Sequence, residues 1–165
     1  MRWPDFNVDS DPRLAAKVSQ VLETWESTPY VVGQRARGYG TNCVGFVTGV
    51  LDDLYGSVTQ WLRYPDDLAF TNPAGAVRAM ENIMAQYPQH RILPEGVALE
   101  PADILVVSRP VGGPTHAIFV GAGPNELWQS AKKGVSQTST HRIRRTWPKL
   151  VRVFRMNDRE NWLES

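Results

Sequence analysis

The spacing of apolar residues changes once along this chain of 165 residues. Before residue 102, apolar side chains recur every three or four positions, which is the period of an amphipathic helix. Beyond it they form short runs of strand length, separated by turn residues. Helices followed by strands predict an α+β domain, with N-terminal helices packed on a C-terminal antiparallel β-sheet. The length fits a single domain spanning residues 1–165.

Three helices are predicted in the first half, each with its own boundary signals. Asp11-Pro12 begins the first, Cys43 and Gly56 bound the second, and Thr71-Asn72-Pro73 and Pro88 bound the third. The second helix is expected to be largely buried, with Asp52-Asp53 on its solvent side. Residues 29–40 are predicted to be a loop and residues 88–101 a connection with an exposed His90. The segment 57–71 has no clear period, and its aromatic side chains, Trp61, Tyr64 and Phe70, are expected to pack on the core.

Five segments of the second half predict the sheet. Residues 103–108 and 115–121 read as a hairpin joined through Gly112-Gly113-Pro114. Residues 126–130 and 134–138 extend the sheet, and residues 149–155 complete it.

The composition excludes several classes of protein. A hydrophobic fraction of 42% with 21% charged residues is typical of a soluble globular domain. No apolar run approaches the about 20 residues of a membrane-spanning helix, and the first residues lack the apolar core of a secretory signal. We therefore expect a chain made in the cytoplasm, without a membrane segment.

Metal and disulfide sites are also disfavoured. The single cysteine excludes an intramolecular disulfide and a multi-cysteine zinc site. His90, His116 and His141 lie far apart, and Gly-rich phosphate loops are absent. No metal and no cofactor are predicted.

A basic span occupies the last third of the chain. No acidic residue lies between Glu126 and Asp158, whereas eight cations do, and the net charge of the chain is +1. Such a span is usually a solvated face; otherwise it meets an anionic partner. The low net charge argues against wholesale binding of nucleic acid. The eight cations are Lys132, Lys133, Arg142, Arg144, Arg145, Lys149, Arg152 and Arg155.

Cys43 lies where a turn-rich segment becomes an apolar helix. The unpaired N–H groups and the positive dipole end of a helix favour a thiolate there, and the thiolate is the reactive form of cysteine. The alternative interpretation is a small buried hydrophobic residue.

Two polar residues on predicted strands could complete a site with Cys43. His116 shares a strand face with Ile118 and Val120, and Gln129 shares one with Leu127, because side chains alternate along a strand. If the cysteine helix packs on that face, Cys43, His116 and Gln129 converge as nucleophile, base and orienting amide. Alternatively, His116 and Gln129 are core residues with backbone partners. His141 competes for the third position, but its cationic neighbours disfavour a protonated ring.

Four segments together resemble a known family, the NlpC/p60 superfamily of papain-like cell-wall cysteine peptidases. The resemblance runs from about Thr28 to Met156 and is greatest to the compact versions in phage tails and gene transfer agents. The segments are Pro29-Tyr30, Asn42-Cys43-Val44-Gly45-Phe46-Val47, Pro101-Ala102-Asp103-Ile104-Leu105-Val106-Val107 and His116-Ala117-Ile118-Phe119-Val120-Gly121.

The resemblance implies a papain-like fold and a cysteine amidase or endopeptidase that cuts peptidoglycan stem peptides, typically at a γ-D-glutamyl bond to a diamino acid. Cys43 would be the nucleophile and His116 the base, and Gln129 stands where the family more often has His or Asn. Tyr30 would border the site. Asn42 and Val44 replace the family's common Asp and Ser and would contact the substrate.

The implied partners are a stem peptide and the proteins of a tail tip or hub, with the enzyme carried in a phage-like tail to open the wall during DNA delivery. Two other functions are compatible with the same residues. One is a silent tail-tip plug or adaptor that keeps a peptidase fold, and the other is a papain-like acyltransferase.

Overall fold

The computed structural model describes residues 1–32, 34–56, 73–87, 89–111 and 115–164. Within them, helices precede a six-stranded antiparallel sheet, which is the predicted α+β arrangement. The elements are α1 (Pro12–Trp25), β1 (Arg35–Ala36), β2 (Gly40–Thr41), α2 (Cys43–Tyr55), α3 (Pro73–Met84), β3 (His90–Ile92), β4 (Ile104–Ser108), β5 (Thr115–Val120), β6 (Leu127–Ala131), β7 (Gly134–Thr138), α4 (Thr140–Thr146), β8 (Lys149–Met156) and a 3-10 helix (Arg159–Leu163).

Several predictions lie outside the described residues. They are the packing of Trp61, Tyr64 and Phe70, the cap at Thr71-Asn72, the stop at Pro88 and the turn at Gly112-Gly113-Pro114.

Side-chain caps fix the beginnings of α1 and α2; the sequence predicted the Asp11 cap of α1 but not the Asn42 cap of α2. Asp11 accepts a hydrogen bond from the backbone N–H of Arg13 at 2.9 Å, and Pro12 occupies the first turn of α1. Asn42 accepts one from the backbone N–H of Gly45 at 2.7 Å. Gly56 ends α2 with a φ of 68°, a left-handed conformation that glycine adopts without strain.

The prediction that Asp52 lies on the solvent side of α2 is wrong. Its carboxylate is buried, with an ion pair to Arg35 at 3.1 Å and a hydrogen bond from the Tyr87 hydroxyl at 2.9 Å. Asp53 is the more exposed neighbour and accepts from the Trp25 indole at 2.7 Å. A charge can be buried when such partners replace its water, so α2 is enclosed on more sides than its pattern suggests.

The strand order of the main sheet is β3-β8-β4-β5-β6-β7, with every neighbouring pair antiparallel. The predicted hairpin is β4 and β5, which places Val107 opposite His116. β3 lies in the segment predicted to be only a connection, and His90 is half-buried instead of exposed. β1 and β2 are also unpredicted, because two-residue strands carry no periodic signal.

Both faces of the sheet are covered, which corrects the prediction of a single inward face. α1, α2 and α3 pack on the face that carries Ala117, Phe119 and Trp128. The opposite face carries Ile118, Val120 and Leu127, in a second cluster with Ile143 of α4 and, at its margin, Trp3, Phe6 and Trp147. His116 and Gln129 share the parity of this second face. The cysteine helix therefore does not pack on their face of the sheet.

A β-bulge interrupts the pairing of β4 with β8. Val106 lies opposite Arg152 and Val107 opposite Leu150, so Val151 is an extra residue in β8. As a result Leu150 and Val153, three positions apart, both belong to the second cluster.

A buried ion cluster joins β4 to β8. Arg155 donates to both carboxylate oxygens of Asp103 at 2.8 Å and pairs with Glu100 at 2.9 Å. Arg159 pairs with the same Glu100 at 2.9 Å. We call Asp103, Arg155, Glu100 and Arg159 the ion cluster; its bidentate geometry locks the end of β8 to the sequence around Asp103.

No helix within the described ranges has the length and apolarity needed to cross a lipid bilayer.

Candidate active site

Cys43 is the first residue of α2 and lies where the helix meets the sheet. α2 packs against β5 and β6, so its N-terminus is held over the strand that begins with Thr115-His116. The side chain is only 7% exposed. The backbone N–H of Ala117 hydrogen-bonds to the thiol, which places the sulfur one residue along the chain from His116.

Burial keeps the Cys43 thiol protonated, whereas its place at the N-terminus of α2 was expected to favour the thiolate. Desolvation raises the pKa of Cys43, and the backbone N–H groups of Ala117, Val44 and Cys43 itself only partly oppose this. The resting side chain is therefore a thiol at neutral pH. A nucleophile in this state needs a base that removes its proton during the reaction.

His116 forms a hydrogen bond with Gln129 across β5 and β6. The distance between His116 Nε2 and Gln129 Oε1 is 2.8 Å. Because Oε1 can only accept, Nε2 carries the proton of the neutral ring. Nδ1 then has a free lone pair, as a general base requires.

The imidazole is neutral over a wide pH range. Burial lowers the pKa of His116 to about 4, and the hydrogen bond to Gln129 acts in the opposite direction. A carboxylate in place of the amide would stabilise the protonated ring much more strongly. His116 is thus available as a proton acceptor at neutral pH, without a preformed thiolate and imidazolium pair.

Trp147 covers the imidazole and is not among the site residues predicted from the sequence. The ring centroids of His116 and Trp147 are 5.1 Å apart with planes inclined by 19°, a stacked arrangement. The guanidinium carbon of Arg109 lies 5.4 Å from the centroid of the Trp147 ring. Trp147 follows α4 directly, and its backbone N–H closes that helix on Ile143. The only available signal was a tryptophan in a basic stretch before an apolar strand.

The segment that carries Tyr30 lies beside the residues preceding Cys43. Tyr30 forms a parallel bridge with Thr41, and Thr41 donates its backbone N–H to Pro29 at 2.9 Å. Ser130 of β6 donates its hydroxyl to the Thr41 carbonyl at 2.9 Å. Tyr30 is 37% exposed, so its ring has a solvent-facing part near the start of α2. Its role at the border of the site stays a prediction.

Asn42 and Val44 are placed inside the protein. The Asn42 carboxamide caps α2, and Val44 is fully buried in the cluster beneath the helices. This placement argues against direct contact of either side chain with a substrate. What they contribute is the position of the Cys43 backbone.

The other two histidines lie apart from the site. His90 Nδ1 is 2.8 Å from the Tyr87 carbonyl oxygen, and His141 is exposed on α4, 3.0 Å from an Arg145 guanidinium nitrogen. Gln129 therefore occupies the position for which His141 competed. Within the described ranges, no three histidine, cysteine or acidic side chains form a group that could hold a metal ion.

These contacts assemble a chemical set with defined roles. A thiol at a helix start lies against the strand that carries His116, the neutral imidazole of His116 is oriented with Nδ1 free, and N–H groups of the first turn of α2 are of the kind that stabilises an oxyanion. Such a set is suited to acyl transfer through a covalent thioester.

Sequence comparison and structure comparison give different results for this chain. No family model matches the sequence, and no curated protein matches it. Among solved structures, the NlpC/p60 domain of the peptidoglycan hydrolase SagA matches with a TM-score of 0.51 and 16% identity. The match covers 86% of this chain and 98% of that one. The chain thus has the papain-like fold of an NlpC/p60 domain, as predicted from its motifs.

Proposed function

We propose that this protein is a cysteine hydrolase that cleaves peptide bonds of peptidoglycan, with Cys43 as nucleophile, His116 as general base and Gln129 as the residue that orients the ring. The observation that carries the proposal is the 2.8 Å contact between His116 Nε2 and Gln129 Oε1. It leaves Nδ1 free on the strand against which the Cys43 thiol lies. The fold shared with a peptidoglycan hydrolase domain supports the substrate class.

The reaction begins with a neutral pair. As Cys43 Sγ attacks the substrate carbonyl, His116 Nδ1 takes the thiol proton, and the carbonyl oxygen becomes an oxyanion beside the first turn of α2. Collapse of this intermediate breaks the C–N bond, and the imidazolium protonates the leaving amine. Water then attacks the thioester while His116 accepts its proton, which releases a free acid and restores the thiol.

Digestion of purified peptidoglycan tests the proposal. Wild type should release peptides with new amino and carboxyl termini, identified by mass, whereas Cys43→Ala and His116→Ala should release none above background. His141→Ala is the matched control and should digest like wild type, because His141 is an exposed residue of α4. Equal product from wild type and Cys43→Ala would falsify the nucleophile assignment. Added amine would reveal a transferase by forming a new amide in place of the acid.

A second candidate function is a silent structural protein with a peptidase fold, favoured by the buried thiol and the uncharged Gln129. Alkylation of Cys43 by iodoacetamide at pH 7 separates the two. In a hydrolase His116 assists loss of the thiol proton, so His116→Gln should slow alkylation about tenfold or more. In a silent protein the two rates should agree.

The route to the cell wall is a separate part of the proposal. The resemblance to compact phage-tail and gene-transfer-agent domains supports delivery within a phage-like tail, in contact with tail-tip or hub proteins. Mass spectrometry of purified particles tests this. The protein should copurify with tail proteins at a fixed ratio through a density gradient; recovery only in the particle-free fraction would contradict it.

A further inference from the structure

A groove of about 270 Å³ runs between α4 and the hairpin of β6 and β7. One end is formed by Gln129 and Trp147, and its rim includes Lys133 of the hairpin turn and Arg142 of α4. The remaining lining consists mainly of neutral hydroxyl and amide side chains from β7 and α4, namely Ser136, Gln137, Thr138 and Thr146.

The groove is continuous with the candidate site. Gln129 holds the imidazole edge of His116, and Trp147 stacks on its face. Both side chains also line the groove, so it begins where the His116 ring ends, on the Nε2 side. A substrate at the thiol that extends past Gln129 and Trp147 would enter this groove.

The charge of the groove is entirely positive. Lys133 and Arg142 are both exposed, and no acidic residue contributes to the lining. Neither side chain forms an ion pair within the described part of the chain. By contrast, Arg152 and Arg155 of the same basic span, and Arg159 just beyond it, are each paired with an acid. The two cations at the groove are thus available for an anionic ligand, and the neutral lining offers further hydrogen bonds to it.

The aromatic lining argues for a peptide instead of a nucleic acid. Proteins that hold single-stranded nucleic acid stack its bases on open aromatic faces. Trp147 is the one aromatic residue among those lining the groove, and it already stacks with His116 and lies under Arg109.

We propose that this groove is a subsite for an acidic segment of the substrate, in which Lys133 and Arg142 bind a free carboxylate of the peptide. The inference rests on the proposed function, because it assigns the groove to the same substrate that Cys43 attacks. It makes Lys133 and Arg142 the residues that select between a carboxylate and its amide.

A matched pair of stem peptides tests the selection. The two peptides are identical except that the carboxylate of their acidic residue is free in one and amidated in the other. Wild type should cleave the acid with a KM about tenfold below that of the amide and with a similar kcat, because a charge-assisted contact of this kind is worth about one decade in binding. Equal KM values would overturn the proposal.

Single substitutions then test whether Lys133 and Arg142 are the residues that distinguish the acid from the amide. Arg142→Gln and Lys133→Gln should each raise KM for the acid about threefold to tenfold and leave KM for the amide unchanged. Arg145→Gln is the control, since Arg145 is an exposed cation of the same helix that lines a different groove. If Arg145→Gln raises KM for the acid equally, the effect is general attraction and the subsite is wrong. Circular dichroism confirms that each variant is folded.

A binding measurement keeps the two proposals distinguishable. Cys43→Ala protein labelled with ¹⁵N is titrated with each peptide while the indole N–H signals are recorded. The acid should shift the Trp147 signal, identified with Trp147→Phe, at concentrations where the amide does not. Binding of the acid without cleavage by wild type would refute the hydrolase and keep the subsite. Three results would refute the subsite. They are cleavage of the acid without the Trp147 shift, neither cleavage nor shift, and tighter binding of an oligothymidylate than of the acid peptide.

Discussion

The ion cluster and the candidate site both bury polar groups, in neighbouring parts of one sheet. The buried groups are an ion pair in the cluster and neutral side chains at the site. In the ion cluster, Asp103 is fully buried and Arg155 is 5% exposed, and two hydrogen bonds join them in a bidentate pair. Burial raises the pKa of the Asp103 carboxyl, and the Arg155 guanidinium opposes that rise by stabilising the carboxylate. Burial acts against the charge of Arg155, but the hydrogen bonds and Coulombic attraction of Asp103 and Glu100 more than offset it and raise its pKa.

At the candidate site, burial is met by neutral partners only. His116 is 7% exposed, and burial lowers the pKa of its ring to about 4, which the hydrogen bond to the Gln129 amide opposes only in part. Cys43 is equally buried and its pKa is raised. The fold thus buries a fixed ion pair where β8 is anchored and leaves uncharged the site at which the proposed reaction moves a proton.

Removing one charge from the ion cluster should have the largest effect on stability. Asp103→Asn leaves the Arg155 guanidinium buried without its counterion, so the free energy of unfolding should fall by about 3 to 5 kcal/mol in urea titrations. Glu81→Gln is the control, because its pair with Arg152 spans 3.9 Å and is exposed. That variant should change stability by about 0.5 kcal/mol or less. Similar losses in both variants would refute the distinction.

The neutral site should instead make stability depend on pH. His116 has a folded pKa of about 4 against an ordinary value of 6.5, so the unfolded chain binds a proton first as pH falls. Wild type should lose about 3 kcal/mol of stability between pH 6.5 and pH 4 through this residue. His116→Gln should flatten that slope, whereas His141→Gln should keep it. An unchanged slope in His116→Gln would show that the ring is not buried neutral.

Placing a carboxylate beside His116 should favour a charged pair at the site, as in the ion cluster. In Gln129→Glu a carboxylate would accept from Nε2 and favour the imidazolium, which should raise the pKa of His116 by about 1 to 3 units. The acid limb of the activity profile should move upward with it. Gln129→Leu is the comparison variant and should keep the pKa low. The ring proton of His116, followed by NMR across pH, measures both.

The smallest predicted effect concerns the cover over the imidazole. Trp147→Ala exposes the ring face to water and removes a stack worth about 1 kcal/mol, so the pKa of His116 should rise toward 6.5 and kcat should fall about fivefold. Trp147→Phe keeps a stacked ring and should restore both values. Loss of activity without movement of the His116 pKa would assign Trp147 a purely structural role.

Sequence patterns correctly predicted the elements that depend on interactions between residues close together in the chain. The Asp11 cap with Pro12, the glycine at 56 and the apolar stripe of α2 each act within one turn of helix, and the structure contains them as expected. The approach of His116 to Gln129 was expected from strand parity, which is also short-range. These features needed no knowledge of what lies on either side of the sheet.

Features set by tertiary packing were missed. Every residue of β4 and β5 is buried, so their sequences have no polar alternation to indicate which face meets the helices. The burial of Asp52 depends on Arg35 and Tyr87, which come from distant segments. Trp147 reaches His116 only because α4 packs on the second face, and seven residues rich in arginine gave no apolar period that would predict this helix.

The extra residue Val151 sets the phase between two halves of β8. On the Met156 side the strand is held by Arg155 to Asp103, and on the Lys149 side it begins two residues after Trp147. If the bulge were straightened with Val151 kept as a regular ladder residue, alternation would turn Leu150 toward the helices and carry the preceding segment to the other side of the sheet. Deletion of Val151 would instead regularise the ladder and leave Leu150 opposite Val107 on the second face, so the bulge adds one residue to β8 without reversing the face that Leu150 occupies.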